Sequence, residues 1–143
     1  MNNNDLFHTI QQLARQLTKL MNETLEPYGL YSAQWSVLYV LKMQGTQTQK
    51  QLCDYLAVEA PPMTRTIQRL VKQGYVEQVT GPDRRANYIQ LTQKANEEYP
   101  KWEQSITKMN TALIEHFPQP AQKQLHLLSS EWLSSFRDQA KKE

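Results

Sequence analysis

The side chains best suited to chemistry in this chain are cations and amides rather than paired acids and bases. Arg65, Gln68, Arg69 and Lys72 recur at three- and four-residue steps, which places them on one face of a helix. Arg84 and Arg85 follow Thr80-Gly81-Pro82-Asp83, a turn-forming cluster between two β-prone runs, Tyr75–Val79 and Tyr88–Leu91. A guanidinium forks onto phosphate oxygens or onto guanine O6 and N7, and a glutamine amide matches adenine N6 and N7. Thr64 and Thr66 can bond phosphate or touch a thymine methyl. Asp83 stands two residues before Arg85, where it can orient the guanidinium through a bidentate contact. A solvated helix face and an ordinary turn aspartate are the plain alternatives. The succession of a short helix, a polar helix, a Gly74 exit and a cationic hairpin favours the recognition reading.

The helix with its following hairpin resembles a winged helix-turn-helix, whose helix enters a DNA major groove and whose wing touches minor groove or backbone. The charge distribution agrees with this. Residues 1–45 hold three basic and three acidic side chains, residues 46–92 hold six and four, and residues 93–143 hold seven and seven. The net charge of +2 therefore arises in the middle third. All but one of its six cations, Lys50, lie on the helix or hairpin.

These elements need a scaffold, and the apolar periodicity supplies a mainly α one with a small β-hairpin wing. Leu6, Ile10, Leu13, Leu17, Leu20 and Leu25 stripe a first helix, capped by Asn4 or Asp5 and ended at Pro27-Tyr28-Gly29. Ser32 is expected to cap a second helix and Thr48 a third. Pro61-Pro62 suits the first turn of a fourth, closed by Gly74. A fifth helix starts after Thr92 and carries Tyr99, Trp102, Ile106, Leu113 and Phe117, with Pro100 expected to kink it. A sixth carries Leu125, Leu128, Trp132, Leu133 and Phe136. A chain of 143 residues is one domain, 1–143. Within it, 30–92 forms the winged lobe, while 1–29 and 93–143 form dimerisation helices. A monomer covers those three amphipathic stripes poorly and a two-fold dimer covers them simply. Leu6, Ile10, Leu13, Leu113, Phe117, Leu125, Leu128, Trp132 and Phe136 are the expected interface.

Several motifs resemble the multiple antibiotic resistance regulator (MarR) family of winged helix-turn-helix transcriptional regulators. Asp83 and Arg85, followed after five residues by Leu91-Thr92, match its wing. Gln34-Trp35-Ser36-Val37-Leu38, Met63-Thr64-Arg65, Arg69-Leu70 and Gly74-Tyr75-Val76 match elsewhere, so the likeness spans nearly the whole chain. It implies a homodimer on a pseudo-palindromic operator in double-stranded DNA, usually acting as a repressor. It also implies release by a small aromatic or phenolic effector held between lobe and dimer helices. The DNA contacts expected on this reading are Pro62, Thr64, Arg65, Gln68, Arg69, Lys72, Asp83, Arg84 and Arg85. Tyr31, Trp35, Tyr39, Tyr99 and Trp102 are the aromatic residues available to an effector, although aromatics at helical spacing are more often core. Pro61-Pro62 departs from the small hydroxyl residues usual in that family.

Other chemistry finds little support. His8, His116 and His126 are scattered and form no compact ligand spacing, so neither metal nor cofactor is expected. No phosphate loop, nucleophile elbow or carboxylate pair points to an enzyme. The single cysteine excludes an intrachain disulfide. Cys53 reads as a small buried apolar residue, with a redox-responsive regulator as the alternative. No signal-like start and no membrane-spanning run is legible, so a cytoplasmic protein without membrane contact is expected. The rival from another class is a winged-helix protein-interaction module that no longer binds DNA.

Overall fold

The computed structural model describes residues 1–142, with side chains through residue 139, and divides into units 1–107 and 108–143. The last residues of the expected dimerisation segment, 140–143, therefore lie outside the described side chains. The boundary falls inside the fifth helix.

The first unit opens with α1 (Asn3–Leu25). Asn2 caps it rather than Asn4 or Asp5: Asn2 Oδ1 accepts the Asp5 N–H at 3.0 Å, and the Asp5 carboxylate accepts the Asn2 N–H at 3.2 Å. A capping pair needs an acceptor on the residue three positions before the partner acid, and Asn2 is that residue. A 3-10 turn, Glu26–Tyr28, follows, and Gly29 leaves it at φ 70°. The next helix, α2 (Ser32–Gln44), has Tyr31 as its N-cap instead of Ser32. Gln34 Oε1 takes the Tyr31 N–H at 2.9 Å, and Asn22 Oδ1 takes the Ser32 N–H at 2.7 Å.

Beyond it come β1 (Gln47–Thr48), α3 (Gln49–Leu56), α4 (Ala60–Gln73), β2 (Val76–Val79), β3 (Tyr88–Leu91) and α5 (Gln93–Ile114). The strands form an antiparallel sheet in the order β1-β3-β2. The two-residue β1 carries too little apolar alternation to be recognised from sequence. Thr92 starts α5 as expected, its hydroxyl accepting the Ala95 N–H at 3.1 Å. The helix continues through Pro100. The core gathers Leu25, Leu30, Leu38, Leu52, Ile67, Leu70, Ile89 and Trp102, all buried. It joins α1, α2, α3, α4, the sheet and the first half of α5.

The second unit contains the end of α5, a turn and α6 (Gln119–Lys142). Gln122 closes the turn: its side-chain amide donates to the Phe117 carbonyl at 2.7 Å, and its N–H donates to the Pro118 carbonyl at 3.0 Å. None of the described side chains of 108–139 is buried. Leu113, Phe117, Leu125, Leu128, Leu133 and Phe136 are all exposed.

Candidate nucleic-acid interface

Two short helices and a hairpin present the cations. The side chain of Thr48 caps α3 by accepting the Gln51 N–H at 3.0 Å, and Gln51 returns the contact at 2.8 Å. Ala57 ends α3 in the left-handed region at φ 55°. The Val58 N–H folds back to the Cys53 carbonyl at 3.1 Å, and the chain turns into α4. Pro61 and Pro62 occupy the first turn of α4, where an N–H has no helical partner. At its far end Gly74, at φ 82°, and Tyr75 make a paired stop. The Tyr75 N–H reaches the Leu70 carbonyl at 2.9 Å and the Gly74 N–H reaches Val71 at 3.0 Å.

Between these ends Met63, Ile67 and Leu70 face the core, and Pro62, Arg65, Gln68, Arg69 and Lys72 face solvent. Among the described residues no acid pairs with Arg65, Arg69, Lys72 or Arg84. Thr64 differs from these. Its hydroxyl donates to the Ala60 carbonyl at 2.9 Å and accepts from Gln49 Nε2 at 2.7 Å, so the polar part of Thr64 is engaged within the lobe.

The hairpin tip is fastened from below. The Gln49 N–H donates to the Asn87 carbonyl at 3.0 Å, and Thr48 pairs with Tyr88 across the sheet. The start of α3 and the base of the tip are thus one piece. The Tyr88 hydroxyl accepts the Asp83 N–H at 3.1 Å. Its ring lies over Gly81 so closely that a Cβ there would stand 2.4 Å from ring carbons. Asp83 then orients Arg85, though not by the bidentate fork expected. One oxygen, Oδ1, accepts the Arg85 N–H at 3.0 Å and lies 3.5 Å from Nε. The turn geometry brings the backbone of Arg85 to the carboxylate first. The terminal nitrogens of Arg85 stay outward on a side chain 94% exposed. A groove of about 790 Å³ runs between this tip and the α3–α4 corner, with Lys50, Cys53, Glu59, Asp83, Arg85 and Asn87 on its walls. It brings the wing and the helix-turn-helix together on one surface.

The five aromatic residues considered for an effector do not converge on one cavity. Trp35, Tyr99 and Trp102 are buried in the core. Trp35 stacks on Tyr99 at 5.2 Å, and Trp102 meets Tyr75 edge-on at 4.7 Å. Burial, then Glu103 and Tyr39, push the Tyr99 phenol up to about 12. Tyr31 and Tyr39 are exposed. Tyr31 borders a different groove, beside Arg69 and Lys72. Trp35 edges a small cavity of about 230 Å³ between α1 and α2.

Cys53 is half-buried, and burial followed by Asp54 and Glu59 raises its thiol pKa. That environment disfavours the reactive thiolate. Among the described residues no group of three or more His, Cys, Asp or Glu side chains is placed to hold a metal, and no helix is long and apolar enough to cross a membrane.

Comparison with known proteins bears on the same surface. The sequence profile of the MarR family matches residues 28–86, from the α1–α2 corner to the wing tip. The chain is 45% identical over 115 residues to the HTH-type transcriptional regulator YwoH of Bacillus subtilis, covering 80% of this chain and 84% of that one. The chain belongs to the MarR family. Solved structures agree with that placement. The transcriptional regulator PA4135 superposes with a TM-score of 0.83 at 27% identity, covering 90% of this chain and 96% of that one. A MarR regulator from Methanosarcina mazei gives 0.83 at 25% identity, covering 94% and 99%. A cysteine-to-serine mutant of E. coli MarR complexed with operator DNA gives 0.81 at 25% identity, covering 90% and 94%. The chain is thus a MarR-family transcriptional regulator with a winged-helix fold.

Sequence reasoning singled out the cations of this regulator and missed the residues that hold them. Gln49 and Gln73 were given no role, Gly81 and Tyr88 entered only as parts of a turn and a β-prone run, and Gln34 only as part of a family motif. Amides carry no periodic signal, and a tyrosine in a β-prone run reads as strand. Gly81 beside Pro82 was legible as a turn but not as the floor beneath a ring.

Proposed function

We propose that this MarR-family regulator is a homodimeric repressor that binds a pseudo-palindromic operator through α4 and the wing. One observation carries the reading: among the described residues no acid pairs with Arg65, Arg69, Lys72 or Arg84, which are exposed on the elements that border the wing groove. Cations left unneutralised on a surface favour a polyanion, because each phosphate contact releases a condensed counterion. The DNA-bound structure of E. coli MarR supports the same assignment by likeness of fold.

Dimerisation is supported by two sets of exposed apolar side chains. Leu6, Ile10, Leu13 and Leu17 are exposed along α1, as are Leu113, Leu125, Leu128 and Phe136 in the second unit. Exposed apolar side chains repeated along a helix face are what an obligate interface covers. The effector reading rests on the α1–α2 cavity beside Trp35, which suits only a small phenol-sized compound. Such a compound induces release only if it prefers the DNA-incompetent arrangement. A regulator of this kind acts in the cytoplasm.

The test is binding to the protein's own upstream DNA by gel shift, followed by footprinting. The expected footprint is an inverted repeat with half-site centres about 10 bp apart. Inserting about 5 bp between half-sites turns one to the far face and abolishes tight binding. Equal affinity for the upstream duplex and a scrambled one overturns the DNA-binding reading. Tight binding that survives the insertion overturns the rigid dimer.

A further inference from the structure

Apolar packing holds α4 to the lobe, but apolar contact has no direction. Met63, Ile67 and Leu70 fix which side of the helix is buried, and they leave its roll about its own axis soft. Reading a base edge demands more, because hydrogen bonds to bases are directional.

Two amide contacts supply direction. On one flank Gln49 Nε2 donates to the Thr64 hydroxyl at 2.7 Å. On the other, Gln34 Nε2 donates to Gln73 Oε1 at 2.7 Å, and Gln73 Nε2 donates to the Gly29 carbonyl at 2.8 Å. The second contact closes a ring, because Gln34 Oε1 also accepts the Tyr31 N–H at 2.9 Å, two residues beyond Gly29. Each amide of that pair donates once and accepts once, in a single direction around the ring. Gln34 is only 3% exposed and is the one buried polar side chain among the described residues. An amide placed in a core costs stability unless both its ends are bonded, so its presence calls for a reason.

Helical geometry supplies the reason. Thr64 and Gln73 are nine residues apart, which at about 100° per residue sets them about 180° apart around the helix. Arg65, Gln68 and Lys72 lie on the strip between them, facing solvent. The amides therefore grip α4 at its two flanks and at its two ends. Rolling the helix either way stretches one grip.

We propose that Gln34, Gln73 and Gln49 are positioning residues for sequence readout: they set the roll of α4 and so the angle at which Arg65 and Gln68 meet base edges. This rests on the DNA-binding reading above. It also gives Gln34 a second task, since the same amide caps α2 and ties the corner after α1 to the far end of α4.

The test measures affinity for a duplex selected by the wild-type protein from a randomised pool, against a scrambled duplex of the same composition. Gln34→Leu, Gln73→Leu, their double variant and Gln49→Leu are compared with Ile106→Val, a buried apolar change that removes none of these hydrogen bonds and lowers stability alone. Each glutamine variant is expected to lower the ratio of specific to scrambled affinity about tenfold, the scale of one lost base contact, with scrambled affinity nearly unchanged. The Gln34→Leu and Gln73→Leu losses do not add, because either change opens the same link, whereas Gln49→Leu multiplies with either. Ile106→Val keeps the wild-type ratio at its lower melting temperature. If Gln34→Leu does not fold, the half-buried Gln73→Leu and the Gln49→Leu variants carry the test. A selective wild type whose glutamine variants keep its ratio overturns the positioning role alone. A ratio that falls equally in Ile106→Val reduces it to general stability and overturns it too. A wild type that selects no duplex removes the DNA-binding reading and this inference together.

Discussion

Residues 1–107 and residues 108–139 are built from similar helices and differ in what those helices cover. In the first unit Trp102, Leu38, Leu70 and Ile89 are sealed from solvent by elements of the same chain. In the second, Leu113, Leu128, Leu133 and Phe136 remain exposed, and no described side chain is buried. Apolar burial is the principal source of folding free energy. The first unit therefore carries its own stability, and the second depends on what covers it. In the proposed dimer that cover is a second copy.

The sharpest way to separate the two units is to damage the core of the first and the exposed apolar face of the second. Trp102 is fully buried, and among the described residues its indole nitrogen has no hydrogen-bond partner. Trp102→Ala should cost roughly 3–5 kcal/mol. Thermal melts should show the loss at every protein concentration. Trp102→Phe should cost much less, because it also removes an unpaired donor. A concentration-dependent loss in Trp102→Ala would place this residue's contribution in association instead. The converse change is Leu128→Asp, expected to weaken the proposed dimer by roughly 2–4 kcal/mol through an uncompensated charge. Sedimentation should show a folded monomer that retains the circular dichroism of the lobe. A wild type that is already monomeric at micromolar concentration would remove the basis for the dimer.

A pH titration addresses the first unit alone. The Tyr99 phenol is raised to about 12 by burial, with Glu103 and Tyr39 adding to it. In the unfolded chain it titrates near the ordinary value of about 10. A raised folded value means that the folded state prefers the protonated phenol. Its stabilisation is thus complete below about pH 10 and is lost between about 10 and 12, amounting to roughly 2–3 kcal/mol. Burial also raises Tyr75, with Glu98 adding to it, so its contribution has the same sign. Tyr99→Phe should flatten the alkaline limb of the stability curve. An unchanged limb would mean that the phenol ionises without disturbing the core.

The same contrast explains what was legible in the sequence. Apolar steps of three and four located every long helix, and Gly74, Thr48 and the Pro61-Pro62 pair located three boundaries. The hairpin was legible because Thr80-Gly81-Pro82-Asp83 separates two β-prone runs. Boundaries set by side-chain caps were less so: Asn2 caps α1 two residues before Asn4, and Tyr31 caps α2 one residue before Ser32, because a cap depends on which oxygen reaches an N–H. The cations of the candidate site were readable as types and spacing. Their supports were not, since Gln34, Gln49 and Gln73 act through contacts between segments distant in sequence, and Tyr88 through a ring folded back over its own turn. The expected aromatic site shows the same limit. Spacing put Trp35, Tyr99 and Trp102 on inward faces, and only the three-dimensional arrangement shows them packed against one another.

Two smaller changes sharpen the comparison within the first unit, between a side chain that reaches outward and one that holds it there. Arg85→Ala should weaken operator binding by roughly 1–3 kcal/mol, the scale of a charge-assisted contact. Its salt dependence should become shallower by about one unit of slope if the contact is to phosphate. The melting temperature should not move, since the Arg85 side chain is 94% exposed. Tyr88→Phe should act in the same direction and more weakly. It removes the acceptor for the Asp83 N–H, keeps the ring over Gly81, and leaves Arg85 its own cation. The expected cost in operator affinity is roughly 0.5–1.5 kcal/mol, with an unchanged salt slope because no charge is lost. Combined with Arg85→Ala, Tyr88→Phe should add almost nothing, because an oriented tip has value only while it carries the guanidinium. Full additivity of the two would mean that Tyr88 contributes its own DNA contact, and the brace assigned to it would fall.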